Sequence, residues 1–269
     1  MGKAVRFKLN RQIPWLKIAI PIIVFLFLIG FLIGIFKFRA VKYAVVVPKT
    51  PMMQQAKVPE RVFRGNLSGK KLVALTFDDG PAIETTPRLL DLLKEKGAVA
   101  TFFELGMRVR SNPEITRRAV EEGHEVGSHT MYHQNLVRVS REDAEADIKE
   151  AKDVFRETLG REIKLTRLPY GNEDDFVRTA AGTPVVYWSV DTKDWDSKDT
   201  QKIVEIAVNS ASDGAIILMH DIYSTTVDAV PEIIEQLRGQ GYEFVTVSEL
   251  ADERGIRLSD GEVYSRFEP

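Results

Sequence analysis

The most apolar part of the chain lies near its N-terminus. The 19 positions from Ile18 to Phe36 carry no charged residue and are mostly Ile, Leu, Val or Phe. As an α-helix this segment would be about 28 Å long, close to the hydrocarbon thickness of a bilayer. A helix that is apolar on every face and flanked by Lys17 and Lys37 fits lipid better than a protein core. A cleaved signal peptide would have a shorter apolar region. The pattern therefore predicts one transmembrane helix that acts as an uncleaved signal anchor.

Charged residues around this run indicate which side of the membrane each end faces. Residues 1–17 hold five basic residues and no acid, whereas three basic residues follow the run closely. This excess favours a cytoplasmic basic tail over 1–17 and an anchor over 18–36, with the rest of the chain outside the cell membrane. Residues 37–70 contain three prolines and show no strong periodicity, which is typical of a linker. The sequence thus predicts a single-pass membrane protein with an extracytoplasmic domain.

From residue 71 onward, short β-rich runs alternate with segments of helical period. Apolar residues recur on one face of Arg141–Leu159, and Ser140 and Gly160 offer its N-cap and its C-terminal stop. Alternation of this kind predicts an α/β fold with helices covering a parallel sheet, and it leaves a closed barrel and an open sheet both possible. We assign 71–255 to this domain and 256–269 to a polar tail without a role. The seven candidate strands are Leu72–Phe77, Ala100–Phe103, Glu125–Ser128, Lys164–Leu168, Val185–Trp188, Ala215–Met219 and Phe244–Val247.

Composition and charge narrow the possible partners. A hydrophobic share of 44% and a charged share of 28% are typical of a globular protein, which excludes disorder, collagen and a disulfide scaffold. The lack of cysteine excludes cysteine-based zinc fingers, iron–sulfur clusters and thiol nucleophiles. The net charge of −2 combines +12 over residues 1–70 with −14 over the rest. An acidic domain is a poor partner for nucleic acid, and no glycine-rich phosphate loop points to a nucleotide.

Chemically reactive side chains follow the ends of the candidate strands, where parallel α/β folds build their active sites. His129 and His133 are spaced by four, so one turn-like segment would bring both imidazoles to one metal ion. An aspartate would complete a set that leaves positions open for water, as catalytic metal sites do. If one of Asp78 and Asp79 binds the cation, the other can act as a base. By spacing alone, the histidines could instead be structural, and the Asp-Gly-Pro sequence could be a solvated turn.

Five short motifs follow one another along the predicted domain. They are TFDDGP at 76–81, HTMYH at 129–133, RLPY at 167–170, DTKDW at 191–195 and LMHD at 218–221. In this order they resemble the motifs of the polysaccharide deacetylase family, which is a family of carbohydrate esterases. The resemblance extends from Lys71 to Leu250 and implies a distorted (β/α) barrel, usually seven-stranded. It also implies one divalent cation as the cofactor, often Zn²⁺.

The resemblance also implies a role for each reactive residue. Asp78 resembles the general base, and Arg167 resembles the residue that pairs with the base and tunes it. His220 resembles the general acid, and Asp191 the residue that orients the acid. The residues that resemble the metal ligands are Asp79, His129 and His133.

The remaining motif positions concern the substrate pocket. The backbone N–H of Tyr170 resembles an oxyanion donor. Trp195 and Leu218 resemble walls of the pocket that receives the acetyl group and the sugar. Asp194 lies in the fourth motif and is assigned a structural role, as is His124 outside the motifs.

The resemblance implies a hydrolase that removes acetyl groups from the N-acetylglucosamine of a glycan. The anchor and the Gly-Pro that ends the first motif resemble those of bacterial peptidoglycan N-acetylglucosamine deacetylases. Other acetylated glycans remain as alternatives, namely poly-N-acetylglucosamine, chitin oligomers and xylan. A catalytically inactive glycan-binding protein is a further alternative, although such a protein has no need for both Asp78 and His220.

Overall fold

A parallel sheet forms the centre of the part of the chain that the structure describes. The computed structural model describes Leu67 and residues 69–269. The strands in this part are β1 (Lys71–Asp78), β2 (Ala100–Glu104), β3 (Glu125–Ser128), β4 (Val185–Val186), β5 (Val190–Asp191), β6 (Ala215–His220), β7 (Tyr242–Phe244) and β8 (Val263–Tyr264). The order in the main sheet is β3-β2-β1-β6-β5, and β7 pairs with the first residues of β1. All of these pairings are parallel, which confirms the predicted α/β class.

Helices alternate with the strands along the chain. They are α1 (Thr86–Glu95), α2 (Gly106–Ser111), α3 (Pro113–Glu121), α4 (Arg141–Leu159), α5 (Asp175–Ala181), α6 (Asp194–Ser197), α7 (Thr200–Ser210), α8 (Ser224–Gly239) and α9 (Val247–Glu253). Short 3₁₀ turns cover Leu136–Arg138 and Pro169–Gly171. The helix α4 has the predicted bounds. Its N-cap Ser140 accepts a hydrogen bond from the Asp143 N–H, and Gly160 ends it in the left-handed conformation.

The strand β1 shows how the core is divided. Seven of its eight residues are buried, because both faces of the strand are covered. Val73, Leu75 and Phe77 belong to a core cluster that includes apolar residues of α1, α7 and α8. Leu72 and Ala74, on the other face, belong to a second cluster that includes Leu165, Val186, Ile216 and Val245 from around the sheet. The two-residue period of a strand therefore places alternate side chains in two separate layers.

Three of the predicted strands are shorter or end earlier than expected. Val185–Trp188 is reduced to the two residues of β4, Val185–Val186. Lys164–Leu168 is reduced to Thr166, which makes single parallel bridges to Ser128 and to Val185. The predicted strand Phe244–Val247 extends too far along the chain. The observed strand β7 ends at Phe244, and Val247 begins α9. These single bridges continue the strand pairing from β3 to β4, so they keep the chain next to Arg167 in line with the other strand ends.

The segment 256–269, to which the sequence assigned no role, packs into the domain. Its strand β8 pairs with β4. Phe267 is buried, and its N–H donates to the carbonyl of Gly214. A two-residue strand and one aromatic side chain show no periodicity, so only their distant partners reveal this packing.

The predicted membrane segments fall outside this description. The basic tail, the anchor over 18–36 and nearly all of the linker are not among the described residues. Within Leu67 and 69–269, no helix is both long enough and apolar enough to cross a bilayer.

Candidate active site

Three predicted ligands lie together where β1 and β3 end. Asp79 Oδ1 is 3.6 Å from Nε2 of His129 and 3.4 Å from Nε2 of His133. Tetrahedral ligands about 2.0–2.2 Å from a zinc ion would be about 3.3–3.6 Å apart, so these separations fit one cation. Asp79 Oδ1 is also buried without a hydrogen-bond donor. A buried carboxylate oxygen without a hydrogen-bond partner destabilises the folded protein. A bound cation would offset this unfavourable free energy.

The orientation of His129 suits a metal ligand. Its Nδ1–H donates to the backbone carbonyl of Arg167 at 2.7 Å. Because a carbonyl can only accept, this contact leaves the lone pair of Nε2 facing Asp79. Burial lowers the pKa of His129 to about 3, although the charge of Asp79 acts in the opposite direction. The ring is therefore neutral at physiological pH, as metal binding requires.

The loops around this cluster have unusual backbone conformations. Four residues near it have positive φ although none is glycine: Asp79 (75°), Thr130 (71°), His133 (57°) and Tyr170 (63°). Such conformations cost about 1–3 kcal/mol each and persist only where the surrounding structure holds them. Their concentration beside the ligands indicates that the fold is stabilising a required geometry here.

One side of the site, which we call the base side, consists of Asp78 and Arg167. The Arg167 side chain is fully buried, and its Nη1 donates to Asp78 Oδ1 at 2.7 Å. Its other N–H groups donate to Thr76 Oγ1 and to the carbonyls of Val186 and Tyr187. Burial raises the pKa of Asp78, and the charge of Arg167 opposes this shift. The carboxylate of Asp78 thus lies against the buried guanidinium of Arg167, which is the pairing that the sequence analysis predicted.

The other side, which we call the acid side, corrects a prediction. His220 Nδ1–H donates to Asp194 Oδ1 at 2.8 Å, and its backbone N–H donates to Asp194 Oδ2 at 2.7 Å. Thr226 also donates to Asp194, which is fully buried. We predicted that Asp191 would orient this histidine, but the Asp191 carboxylate instead accepts from the backbone N–H and the ammonium of Lys193. The orienting residue is therefore Asp194, to which we assigned only a structural role from the sequence.

The contact with Asp194 favours the charged form of His220. Burial lowers the pKa of His220, but the hydrogen bond and charge of Asp194, together with the charges of Asp78 and Asp79, outweigh burial and raise the pKa to about 9. The imidazole is accordingly protonated at neutral pH, and its Nε2–H is left to face a substrate.

The predicted pocket residues surround this centre. Tyr170 is exposed, and its ring centroid is 4.7 Å from that of the ligand His133. Trp195 is exposed at the start of α6, and its backbone N–H donates to Asp194 Oδ1. Leu218 is buried in β6 and pairs with Asp191 of β5. Sequence reasoning missed the contacts of Asp147 and of Glu104, because neither residue belongs to a motif.

A candidate Asp-His-His ligand set beside a carboxylate and an imidazolium is an arrangement suited to a hydrolytic metal centre on a parallel α/β fold. Comparison with known proteins identifies the family within this class. A model of the family Polysaccharide deacetylase matches residues 65–183. A peptidoglycan-N-acetylglucosamine deacetylase of Bacillus cereus is 43% identical over 191 residues, which cover 68% of this chain and 89% of that protein. The chain belongs to the polysaccharide deacetylase family.

Two further relatives agree with this assignment. Peptidoglycan-N-acetylmuramic acid deacetylase PdaC of Bacillus subtilis is 44% identical over 183 residues, which cover 68% of this chain but only 39% of PdaC. The chain thus spans less than half of the length of that relative. A solved structure of the T48 deacetylase with substrate matches with a TM-score of 0.71 and 39% identity, over 74% of this chain and 99% of that one.

Proposed function

We propose that this protein removes the acetyl group from N-acetylglucosamine residues of peptidoglycan and releases acetate. The observation that carries the proposal is the complete set of groups in one site: three candidate metal ligands, a carboxylate paired with Arg167 and an imidazolium paired with Asp194. The names of the relatives from Bacillus support peptidoglycan as the glycan.

The residues divide the reaction between them. A divalent cation held by Asp79, His129 and His133 would polarise the acetyl carbonyl and lower the pKa of water. Asp78 accepts the proton of the attacking water, and Arg167 keeps this carboxylate ionised. His220 donates its Nε2 proton to the departing amine nitrogen, which is a poor leaving group without it.

The rim of the site supports a sugar substrate. Six large hydrophobic side chains of the described residues are exposed, and five of them lie in the loops, or in the first turns of short helices, that follow strands of the sheet or the Thr166 bridge. Exposed aromatic rings beside a reactive centre are suited to contact the apolar faces of sugar rings. The five residues are Ile83, Met107, Tyr132, Tyr170 and Trp195.

We also infer that the strands form the distorted (β/α) barrel, which the bridges of Thr166 to β3 and β4 support.

We propose Zn²⁺ as the cation, because two imidazoles and one carboxylate suit zinc better than magnesium or calcium. Zinc also prefers the separations of about 3.5 Å measured between these ligand atoms. The metal is identified by elemental analysis of the purified protein and by comparing Zn²⁺, Co²⁺ and Mg²⁺ in restoring activity to the metal-free protein.

We further propose that residues 18–36 anchor the protein in the cell membrane and that the catalytic domain lies outside it. The proposal is supported by the apolar run and by the excess of basic residues before it. Protease added to intact cells or protoplasts should then degrade the domain. Full protection of the domain in cells whose surface proteins are degraded would contradict this orientation.

The substrate is tested by measuring acetate released from purified peptidoglycan, chitin oligomers and acetylxylan in parallel. We expect peptidoglycan to be deacetylated fastest, with glucosamine rather than muramic acid as the new free amine. Faster release from chitin or xylan would replace peptidoglycan as the substrate. Binding to all three glycans without acetate release would instead indicate a glycan-binding protein.

A further inference from the structure

The loop that carries both histidine ligands has a strained backbone. This loop, residues 129–135, lies between β3 and the 3₁₀ turn Leu136–Arg138. Thr130 and His133 within it have φ angles of 71° and 57°. A left-handed conformation is unfavourable for residues with a Cβ atom, so it persists only where neighbouring groups hold the backbone. The contacts that hold this loop therefore bear directly on where the two imidazoles point.

One side chain from α4 contacts the centre of this loop. Asp147 is 4% exposed, although the residue is charged. Its Oδ1 accepts from the Met131 N–H at 2.7 Å, and its Oδ2 accepts from the Tyr132 N–H at 3.2 Å. Both oxygens of one carboxylate are thus used on two successive peptide groups between the ligands.

Backbone contacts from α2 complete the support on the other side. The Gly106 N–H donates to the Thr130 carbonyl at 2.9 Å, and the Met107 N–H donates to the Met131 carbonyl at 3.2 Å. A Cβ at Gly106 would lie 2.6 Å from Met131 Sδ, so the loop packs closely on α2. Met131 is consequently bonded at its N–H by Asp147 and at its carbonyl by Met107. Of these hydrogen bonds, the two to Asp147 are the ones made by a side chain, so a substitution can remove them.

We propose that Asp147 is a positioning residue for the metal centre. By fixing the peptide groups of Met131 and Tyr132, it holds the left-handed turns that direct His129 Nε2 and His133 Nε2 toward Asp79. This inference rests on the proposed function only in taking these three residues as the metal ligands. The two carboxylate oxygens accept from the loop backbone, and Asp147 is not one of the three candidate ligands, so it acts through the loop.

The substitution Asp147→Asn tests this role with little change in volume. Asparagine keeps one acceptor oxygen but brings an NH₂ group against one of the two backbone N–H donors. We expect the dissociation constants of the full chain for Zn²⁺ and Co²⁺ to rise about 10- to 100-fold, the usual effect of losing a group that orients metal ligands. The d–d spectrum of bound Co²⁺ should also change, because the imidazoles lose their fixed orientation. The matched control is Asp153→Asn on the same helix, whose carboxylate pairs with Lys149 and Arg156 and not with the loop.

The outcomes separate positioning from general stability. A lower thermal midpoint of the metal-free protein with unchanged Zn²⁺ affinity and an unchanged Co²⁺ spectrum would overturn the proposal. If Asp147→Asn does not fold, Asp147→Glu keeps both oxygens but displaces them by one methylene, and it should weaken Zn²⁺ binding relative to Asp153→Glu. Wild-type affinity in Asp147→Glu would then overturn the proposal. Because metal binding is measured without a glycan, failure of the proposed substrate would not affect this result.

Discussion

The base side and the acid side of the site use opposite charges for the same purpose. On the base side, a buried guanidinium lies 2.7 Å from Asp78 and favours the ionised carboxylate. On the acid side, a buried carboxylate lies 2.8 Å from His220 Nδ1 and favours the protonated imidazole. Each partner thereby favours the form of the reacting group that its step requires. The comparison shows that in both cases the partner opposes the effect of burial on the charge of the group.

Glu104 shows what burial does without such a partner. Its side chain is fully buried, and the Thr116 hydroxyl donates to Oε2 while Oε1 has no partner. Burial raises the pKa of Glu104 to about 8, so the group is mainly neutral at pH 7. Asp78 is buried to a similar extent, but it has Arg167 beside it. The contrast indicates that Arg167 is what allows a buried carboxylate to act as a base.

The largest effect is expected from removing the metal, on which both sides of the site depend. Chelation should abolish acetate release, because neither Asp78 nor His220 can polarise the acetyl carbonyl. Activity should return when Zn²⁺ or a similar cation is added. The measurement is acetate release before and after dialysis against a chelator, and a fully active chelated enzyme would refute the role of the metal.

The next largest effect is expected on the base side. Asp78→Asn should lower turnover about 10²- to 10⁴-fold, since the amide cannot accept the proton of water. Metal content should be retained, because Asp79, His129 and His133 are unchanged. Turnover and bound metal are measured on the same preparation. A loss of metal binding would show that the roles of Asp78 and Asp79 are wrongly divided.

The acid side is tested by a shift in pH dependence. Removal of the Asp194 charge leaves burial opposed only by the charges of Asp78 and Asp79, so the pKa of His220 should fall from about 9. Asp194→Asn should therefore move the alkaline limb of kcat/KM to lower pH by about two units and reduce the rate at pH 7 about twofold, because about half of the imidazole would be deprotonated there.

The matched control for this shift is Asp191→Asn, which removes the residue that we first expected to orient the acid. Its carboxylate contacts Lys193 and not His220, so the alkaline limb should stay in place. A shift in this variant and none in Asp194→Asn would reverse our assignment of the two aspartates.

The smallest effect concerns the stability of the fold. The raised pKa of Glu104 contributes stability that is fully present below about pH 4.5 and is lost as the pH rises through about 8. Glu104→Gln removes this dependence, so the variant should match the wild type at pH 5 and exceed it at pH 8 by on the order of 3 kcal/mol. Chemical denaturation at both pH values measures the difference, with Glu145→Gln as an exposed control. Equal pH dependence of wild type and Glu104→Gln would show that Glu104 stays ionised.

Much of the site could be predicted from short stretches of sequence. Asp78 and Asp79 are adjacent in the chain, and His129 and His133 are four residues apart, so the members of each pair are already close in sequence. Their attachment to strand ends followed from the alternation of strands and helices. The helix α4 was also predictable, because its apolar period and both ends are local signals.

The amino-acid sequence by itself determined the α/β class and the helix α4, because both depend on neighbours close in the chain. Its motifs also predicted nearly every residue of the candidate site, through their resemblance to a known family. Only the tertiary structure decided which aspartate orients His220. Lys193, between the two aspartates, has a left-handed backbone with a φ of 56°. The chain turns at this residue, and Asp194 rather than Asp191 accepts hydrogen bonds from His220. Tertiary packing likewise decided that Asp147 holds the ligand loop and that Phe267 completes the core. These contacts join residues that are distant in sequence, and no local pattern encodes them.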